Sequence, residues 1–474
     1  MDSVSLYQQL LTRDSRFDGR FLSGLAAAGR YCLPSCATPP APFEQLGFFR
    51  NEAQARKAGL QPCEYCRPDL FYQGTPFDEQ RYEAVLQSLH SDAPGARMAE
   101  LARQVGLTQQ RLDQLCRRHG HLPAAALLLR YRLEWAQRRL MQVAAPIETV
   151  AAAAGFADGA AFQHDFLQAF ALAPQAYRDL PAGSQFCLSL PADYRATEVL
   201  AYLGRDGDGP AERLRGNSVT KAVLLHGRPV RLCMRIEAET AHCEVLGEVA
   251  PDMMVAAHHM ALRCLGLAER PTLPDGQART ADAKRLLAIR PGLCLPLSGT
   301  VFEALVWAIV GQQVNLTFAA KLRRVVIELA GREAGDGMLA HPDIAAVAAL
   351  DPAVLHGRQF SRSKAEYLVG TARYLLEHGW DMEALSRQSA PAMLRRLTAI
   401  RGIGPWTAQY TLMRGAGFGD CVPVGDAGLV LALQRFFALP QRPDAEQTLQ
   451  LMEGFAPWRS LATAHLWASL QEAA

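Results

Sequence analysis

Two glycines one residue apart, followed at once by proline and tryptophan, constrain this chain more tightly than anything else in it: Gly402-Ile403-Gly404-Pro405-Trp406. Leu397 and Ile400 end an apolar helix face just before them. Pro405 suits the first turn of a second helix, where its missing N–H costs nothing. Glycine turns the chain without a steric penalty and lets backbone amides approach an anion at the second helix's N-terminus. The segment predicts two helices joined by a tight hairpin, with Gly402, Ile403 and Gly404 gripping a phosphate. About twenty residues on, Pro423-Val424-Gly425-Asp426 sets a carboxylate at the mouth of another apolar helix. Asp426 can cap that helix, which begins at Ala427, and can serve chemistry at the same time.

A chain of 474 residues has room for about three domains of ordinary size. With 49 basic and 47 acidic residues the net charge is +2, which excludes a strongly basic nucleic-acid coat. Contacts to a polyanion must then come from local patches and backbone dipoles. The N-terminal segment MDSVSLYQQLLTRDSRF has no apolar core or cleavage site, and no apolar run approaches the roughly 18 residues needed to cross a bilayer. The expectation is a cytoplasmic protein with no membrane partner.

Four of the 11 cysteines cluster. Cys32 and Cys36 form a C-x3-C pair and Cys63 and Cys66 a C-x2-C pair, 26 residues apart. Two chelating pairs of soft thiolates in a reducing compartment point to one tetrahedral zinc ion, with the four cysteines as ligands. The other cysteines, from Cys116 to Cys421, are scattered and read as small core residues.

Residues 80–180 carry helical periodicity in two similar pieces. In the first, Leu101, Ala102, Val105, Leu107, Leu112 and Leu115 share a face around Gly106; in the second, Val150, Ala151, Ala154, Phe156, Phe162 and Phe166 repeat the plan around Gly155. A buried alanine, a glycine turn and a second helix make a helix-turn-helix unit able to enter a major groove. Gln109, Gln110 and Arg111 open the first recognition helix and, with Arg117 and Arg118 further along it, can reach bases and phosphates. The second, AAFQHDF, carries Asp165 and offers little basic charge.

Past Pro181-Ala182-Gly183-Ser184 the pattern becomes strand-like: QFCLSLPADY, TKAVLLHGRPVRLCMRIEAE and HCEVLGEV alternate apolar and polar residues, with a turn near Gly227. From Thr300 to the end it is helical again, and FEALVWAIVGQQVNLTFAAKLRRVVIELAG predicts one or two amphipathic helices.

Three family resemblances accompany these readings. The LTAIRGIGPWTAQY stretch with Asp426 resembles the helix-hairpin-helix DNA glycosylase superfamily, and its Trp and Asp positions are most similar to the 3-methyladenine DNA glycosylase II type; the likeness covers residues ~184–474. It implies that Asp426 is catalytic, that Trp406, Tyr410 and Trp467 line a base pocket, and that the GQQ segment, with Gln312 and Gln313 contacting DNA, holds the wedge position at which Gln313 inserts into the duplex. It also implies that Trp406 replaces the Schiff-base lysine of lyase-active members, so the enzyme hydrolyses without nicking the strand. Only Cys421 follows the hairpin, so no iron–sulfur cluster is expected.

FDGRF, YCLPSC and FFRNEAQARKAGLQPCEYCRPD resemble the zinc domain of Ada-type methylphosphotriester repair proteins over residues ~14–70. That likeness makes Cys32 both ligand and methyl acceptor. Leu33 stands where the family usually has Arg, Ala37, Thr38 and Pro39 replace basic residues, and Glu64 and Tyr65 lie between the last two cysteines. A zinc fold kept for docking is the alternative to methyl transfer. The helix-turn-helix pair, with its closing Pro174-x-x-Tyr177-Arg178, resembles the AraC-type regulator domain.

The expected fold is therefore multidomain and mainly α. It comprises a small zinc-bound α/β domain (1–78), an AraC-like double helix-turn-helix (79–182), an antiparallel α/β domain (183–295) and an all-α helix-hairpin-helix glycosylase domain (296–474). The expected function is hydrolysis of the N-glycosidic bond of alkylated bases in double-stranded DNA, in a protein that also binds promoter DNA. The rival is an Ada-like regulator whose glycosylase half only binds DNA. The chain lacks a PCHRV-like motif, so the O6-methylguanine transferase half common in Ada proteins is not expected.

Overall fold

The structure is a computed structural model and describes residues 2–12, 17–36, 38, 40–64, 66–72, 77–90, 97–207, 209–268 and 280–470. Ala37, Pro39 and Tyr65 lie outside the described residues. The chain forms two compact units, residues 1–88 with 103–106, and 89–102 with 107–474. Among the described residues no helix is long and apolar enough to cross a membrane.

The first unit is built on a four-stranded sheet in the order β3-β1-β2-β4. Its strands are β1 (Leu22–Leu25), β2 (Arg30–Cys32), β3 (Leu46–Phe49) and β4 (Gln61–Pro62). The parallel pairing of Tyr31 with Pro62 brings the two cysteine pairs together across the sequence gap. Leu22, Tyr31, Leu33, Ala55 and Leu60 form its small core. Leu33 is thus a packing residue here, which accounts for an apolar side chain at that position.

Two helix-turn-helix pairs follow along the chain. Met98–Gln104 and Gln109–Gly120 flank Gly106 at φ +66°, and Ile147–Ala153 and Gly159–Phe170 flank Gly155 at φ +86°. Thr108 and Asp158 cap the two recognition helices by accepting backbone N–H bonds. The long helix Ala124–Gln142 joins the pairs.

Downstream lies an all-antiparallel sheet in the order β5-β9-β8-β7-β6. Its strands are β5 (Gln185–Ser189), β6 (Glu212–Arg215), β7 (Ser218–Leu225), β8 (Arg228–Glu237) and β9 (Thr240–Leu246). The β7–β8 turn sits at His226 and Gly227, both at positive φ, as a tight hairpin requires. Helix Pro251–Cys264 packs on one face of this sheet. One hydrophobic core runs without a break from Leu133, through Phe166 and Tyr177, to Phe186, Leu232 and Met253. At its centre His258, fully buried, donates from Nε2 to the Phe170 carbonyl at 2.8 Å, and burial lowers its pKa to about 3.

The C-terminal helices form a second core around Val301–Gly311, which is buried along most of its length. The expected one or two helices are two: Val301–Gly311 stops before Gln312 and Gln313, and Asn315 caps Leu316–Ala330. A two-stranded hairpin, Arg332–Glu333 with Leu339–Ala340, interrupts the helices.

A buried ion cluster joins sheet to helices. Lys221 of β7 binds Glu212 of β6 and, at 2.7 Å, Glu303; Arg323 reaches Glu212 at 2.7 Å, Glu303 at 2.9 Å and Asp206 at 3.3 Å. Burial alone would raise the pKa of Glu212, but Arg323 and Lys221 outweigh it and hold the carboxyl down to about 2. A depressed folded-state value means stabilisation that is full above the unfolded carboxyl's ordinary ~4.3 and fades as pH falls towards about 2. Stability measured by urea unfolding should therefore decline with acid across that window. Arg323→Met, which leaves buried carboxylates short of a cation, should cost about 3–5 kcal/mol and flatten the decline.

Candidate active site

Helix Ala390–Thr398 ends before the hairpin, and Gly404 serves as N-cap of helix Pro405–Thr411. Gly402 sits at φ +93°, and a Cβ there would fall 2.2 Å from the Tyr367 ring. At Gly404 a Cβ would meet nothing within 4 Å. The first glycine is thus required by the fold itself, whereas the second leaves open space over the amides at the helix start. Ile403 is buried and anchors the turn.

Asp426 caps helix Ala427–Phe436, following a turn in which Gly425 has φ +88°. Its carboxylate accepts three hydrogen bonds. Oδ1 receives the Leu429 N–H at 2.8 Å and the Trp467 indole N–H at 2.8 Å, and Oδ2 receives the Trp406 indole N–H at 3.1 Å. Donors on both oxygens fix the orientation of the carboxylate. Capping therefore takes one oxygen only in part, and both oxygens lie between two indoles. Trp406 and Tyr410 have ring centroids 5.5 Å apart, and Tyr410 and Trp467 6.4 Å, so all the aromatic residues expected at the pocket gather around the carboxylate. Burial holds the Tyr410 phenol above its ordinary value.

Gln312 and Gln313 close one side. The Gln312 amide nitrogen donates to the Gly402 carbonyl at 2.9 Å and to Thr407 Oγ1 at 3.0 Å, tying this loop to the hairpin. Gln313 is exposed and held at φ +55°, unusual for a residue other than glycine. Lys364, not foreseen from sequence, is buried beneath the loop. Its ammonium donates to the carbonyls of Val310 at 2.8 Å and Gln312 at 3.0 Å, and burial lowers its pKa.

Sequence reasoning also missed a stack of aromatic rings and guanidinium groups behind the pocket. Arg205 Cζ lies 3.9 Å from the Tyr202 ring centre and 4.3 Å from that of Trp307. Arg414 Cζ lies 4.2 Å from Tyr202 and 5.4 Å from Trp467. Burial opposes ionisation of Tyr202, but Arg205 and Arg414 outweigh it and bring its pKa below the ordinary value. Tyr202 and Arg205 come from the sheet region, so only tertiary packing brings them here. Arg414 follows Tyr410 by four residues, a spacing that could have flagged it.

The remaining expected residues lie elsewhere. Gln109 and Gln110 are exposed at the start of their helix, and Arg111 bonds Gln114 at 3.3 Å; none bonds the Asp426 cluster among the described residues. In the first unit, the sulfur atoms of Cys32, Cys36, Cys63 and Cys66 all lie within 4.8 Å of one another. Tetrahedral zinc with thiolates at ~2.3 Å needs sulfur atoms about 3.8 Å apart, so the set fits that ion with little adjustment. Asp18 accepts both the backbone N–H of Ser35 at 2.9 Å and its hydroxyl at 2.6 Å, fixing the loop between Cys32 and Cys36. Cys32 and Arg30 line a small hollow together with Ser23, Thr38 and Leu46.

Three family models match the chain: the metal binding domain of Ada over residues 5–69, a helix-turn-helix domain over 101–179, and the HhH-GPD superfamily base excision DNA repair protein over 306–457. The chain is 27% identical to a "Probable bifunctional transcriptional activator/DNA repair enzyme AlkA" of Mycobacterium tuberculosis (strain ATCC 25618 / H37Rv), a match covering 99% of this chain and 97% of that protein. It is 35% identical to "DNA-3-methyladenine glycosylase 2" of Escherichia coli (strain K12) over 39% of this chain and 62% of that one. The solved 3-methyladenine DNA-glycosylase from Archaeoglobus fulgidus shares the fold over 60% of this chain and 97% of its own, with a TM-score of 0.53 and 22% identity.

The contrast between the hairpin glycines is directly testable. Gly402→Ala should destabilise by about 3 kcal/mol in urea unfolding, through strain and the clash with Tyr367. Gly404→Ala should stay within about 0.5 kcal/mol of the parent yet weaken duplex binding in a filter or anisotropy titration.

Proposed function

We infer that this chain, a fusion of an Ada-type metal-binding domain, an AraC-type helix-turn-helix domain and a helix-hairpin-helix DNA glycosylase domain, is a monofunctional glycosylase that releases alkylated bases of the 3-methyladenine type from duplex DNA. The observation that carries this reading is the Asp426 carboxylate, oriented by the Trp406 and Trp467 indoles beside the glycine hairpin.

The target nucleotide must leave the stack before its glycosidic bond can be reached. Exposed Gln313, on the loop clamped by Lys364, fills the vacated space. The hairpin at Gly402 and Gly404 holds a backbone phosphate, while the Ile403 N–H, expected to share that role, is donated to the Ile400 carbonyl at 3.0 Å; Gln312 braces the turn from behind. Alkylation has already made the base a good leaving group, so little acid assistance is required. Asp426 stabilises the cationic sugar as the bond breaks and directs water to it. Trp406 has no amine with which to form an imine, so the strand stays intact after base release.

In the same reading the four cysteines hold one zinc ion, no iron–sulfur cluster is needed, and the protein acts on DNA in the cytoplasm. Exposed Gln109 and Gln110, with Arg111, contact promoter DNA. Cys32 accepts a methyl group from a methylphosphotriester: Arg30, beside it in the hollow, supplies phosphate-binding charge that the replaced basic residues do not. The rival regulator with an inert glycosylase half is not favoured, because such a half has no use for a carboxylate held between two indoles.

Release of 3-methyladenine from methylated duplex tests the reading. Asp426→Asn, matched to the parent for folding and DNA affinity, should lose about 100-fold or more. Absence of release by the parent would sink it. Cys32→Ser should abolish methyl transfer while leaving base release unchanged; joint loss would count against separate chemistries in the two halves.

A further inference from the structure

The two ends of the first recognition helix, Gln109–Gly120, lie in different surroundings. Gln109 and Gln110 are exposed at its start. In its last turn His119 is buried, and its Nδ1 is hydrogen-bonded to Ser389 Oγ at 2.8 Å. Ser389 is the N-cap of helix Ala390–Thr398, accepting the Ala392 N–H at 3.3 Å, and that helix runs directly into the glycine hairpin. His121 closes the recognition helix in the left-handed conformation at φ +56°, and its Nδ1 accepts the Asp420 N–H at 3.1 Å. Its ring also packs edge-on against Phe418 at 5.2 Å.

Asp420 stands six residues before Asp426. From its own domain this segment is pinned by Arg459, which binds the Asp420 carboxylate at 2.7 and 2.6 Å, and by Ser460, whose hydroxyl accepts the Cys421 N–H at 2.9 Å. His121 adds a hold from the helix-turn-helix region. Burial lowers the pKa of His119 to about 3 and that of His121 to about 4, so both rings are neutral at physiological pH and the His121 Nδ1 lone pair is open to the Asp420 N–H.

We propose, resting on the glycosylase reading, that the helix-turn-helix region is a working part of the base-excision site. His119 is a positioning residue for the hairpin, acting through Ser389, and His121 is a positioning residue for Asp426, acting through Asp420. The two contacts serve different steps, so their loss has different consequences: a displaced hairpin loosens duplex binding, and a displaced carboxylate slows bond cleavage.

Two readouts on the full-length protein test this: duplex affinity by fluorescence anisotropy, and single-turnover release of 3-methyladenine from methylated duplex at saturating protein. His119→Leu should weaken duplex affinity about tenfold and keep the parental release rate. His121→Phe, which retains a ring against Phe418 but offers no acceptor, should slow release about tenfold and keep the parental affinity. A general loss of folding would move both readouts together. His119→Asn and His121→Asn keep a hydrogen-bonding atom near the Nδ1 position, and Asn tolerates the left-handed backbone at 121, so each should recover to within about twofold of the parent. Parallel changes in both readouts, no change in either Leu or Phe variant, or no recovery with Asn would overturn the proposal. If the parent binds duplex but releases no base, the glycosylase reading fails and the His121 role falls with it, while the affinity of His119→Leu alone decides the His119 role.

Discussion

The buried cluster of Asp206, Glu212, Lys221, Glu303 and Arg323 is what the geometry of the cleft depends on. Each cation bridges carboxylates from different elements, so the cluster closes only when β6, β7 and the helices Val301–Gly311 and Leu316–Ala330 are in register. Tyr202 and Arg205 lie within a turn of Asp206, and Trp307 lies one turn beyond Glu303. The ion cluster therefore sets the position of the rings and guanidinium groups behind the pocket. Such clusters contribute little net stability after desolvation, and specification of geometry is the role that fits this one.

At the front of the cleft, one side chain serves two demands. As a cap, Asp426 needs only one oxygen aimed at Leu429 N–H, and many caps leave the rest in water. Here the indoles take both oxygens into a wall of aromatic residues, so the charge is held in place before any ligand arrives. A group preorganised in this way reorients little when positive charge develops near it. Gly428 permits the closeness: a Cβ there would come within 3.3 Å of Trp467 Cδ1 and 3.2 Å of Asp426 Oδ1.

The readable parts of the sequence were those with local causes. The hairpin could be read because Gly402 must adopt positive φ and Pro405 starts a helix; the cysteine pairs could be read because chelation fixes spacing. The long strands announced themselves by alternation, as in β8, where buried and open positions alternate almost throughout. Strand β6, Glu-Arg-Leu-Arg, was illegible because its inward Glu212 looks like a surface residue until Arg323 is placed opposite it. Arg205, Trp307 and Lys364 escaped for the same reason: their roles arise from partners distant in the sequence, which no short pattern encodes. Helix Ala196–Leu203 lacks a capping hydrogen bond, and its apolar pattern blends into the neighbouring strands.

The unbroken core from Leu133 to Met253 has a consequence for how such a protein can change over evolutionary time. Tyr177 of the helix-turn-helix region and Phe186 of the sheet both pack edge-on or tilted against the His258 ring, whose Nε2 donates to the Phe170 carbonyl. A recombination joint near residue 183 would look clean in a sequence comparison, yet it would divide one hydrophobic interior between two parents. The helix-turn-helix region and the sheet are thus inherited as a pair, each able to drift only as fast as the other compensates.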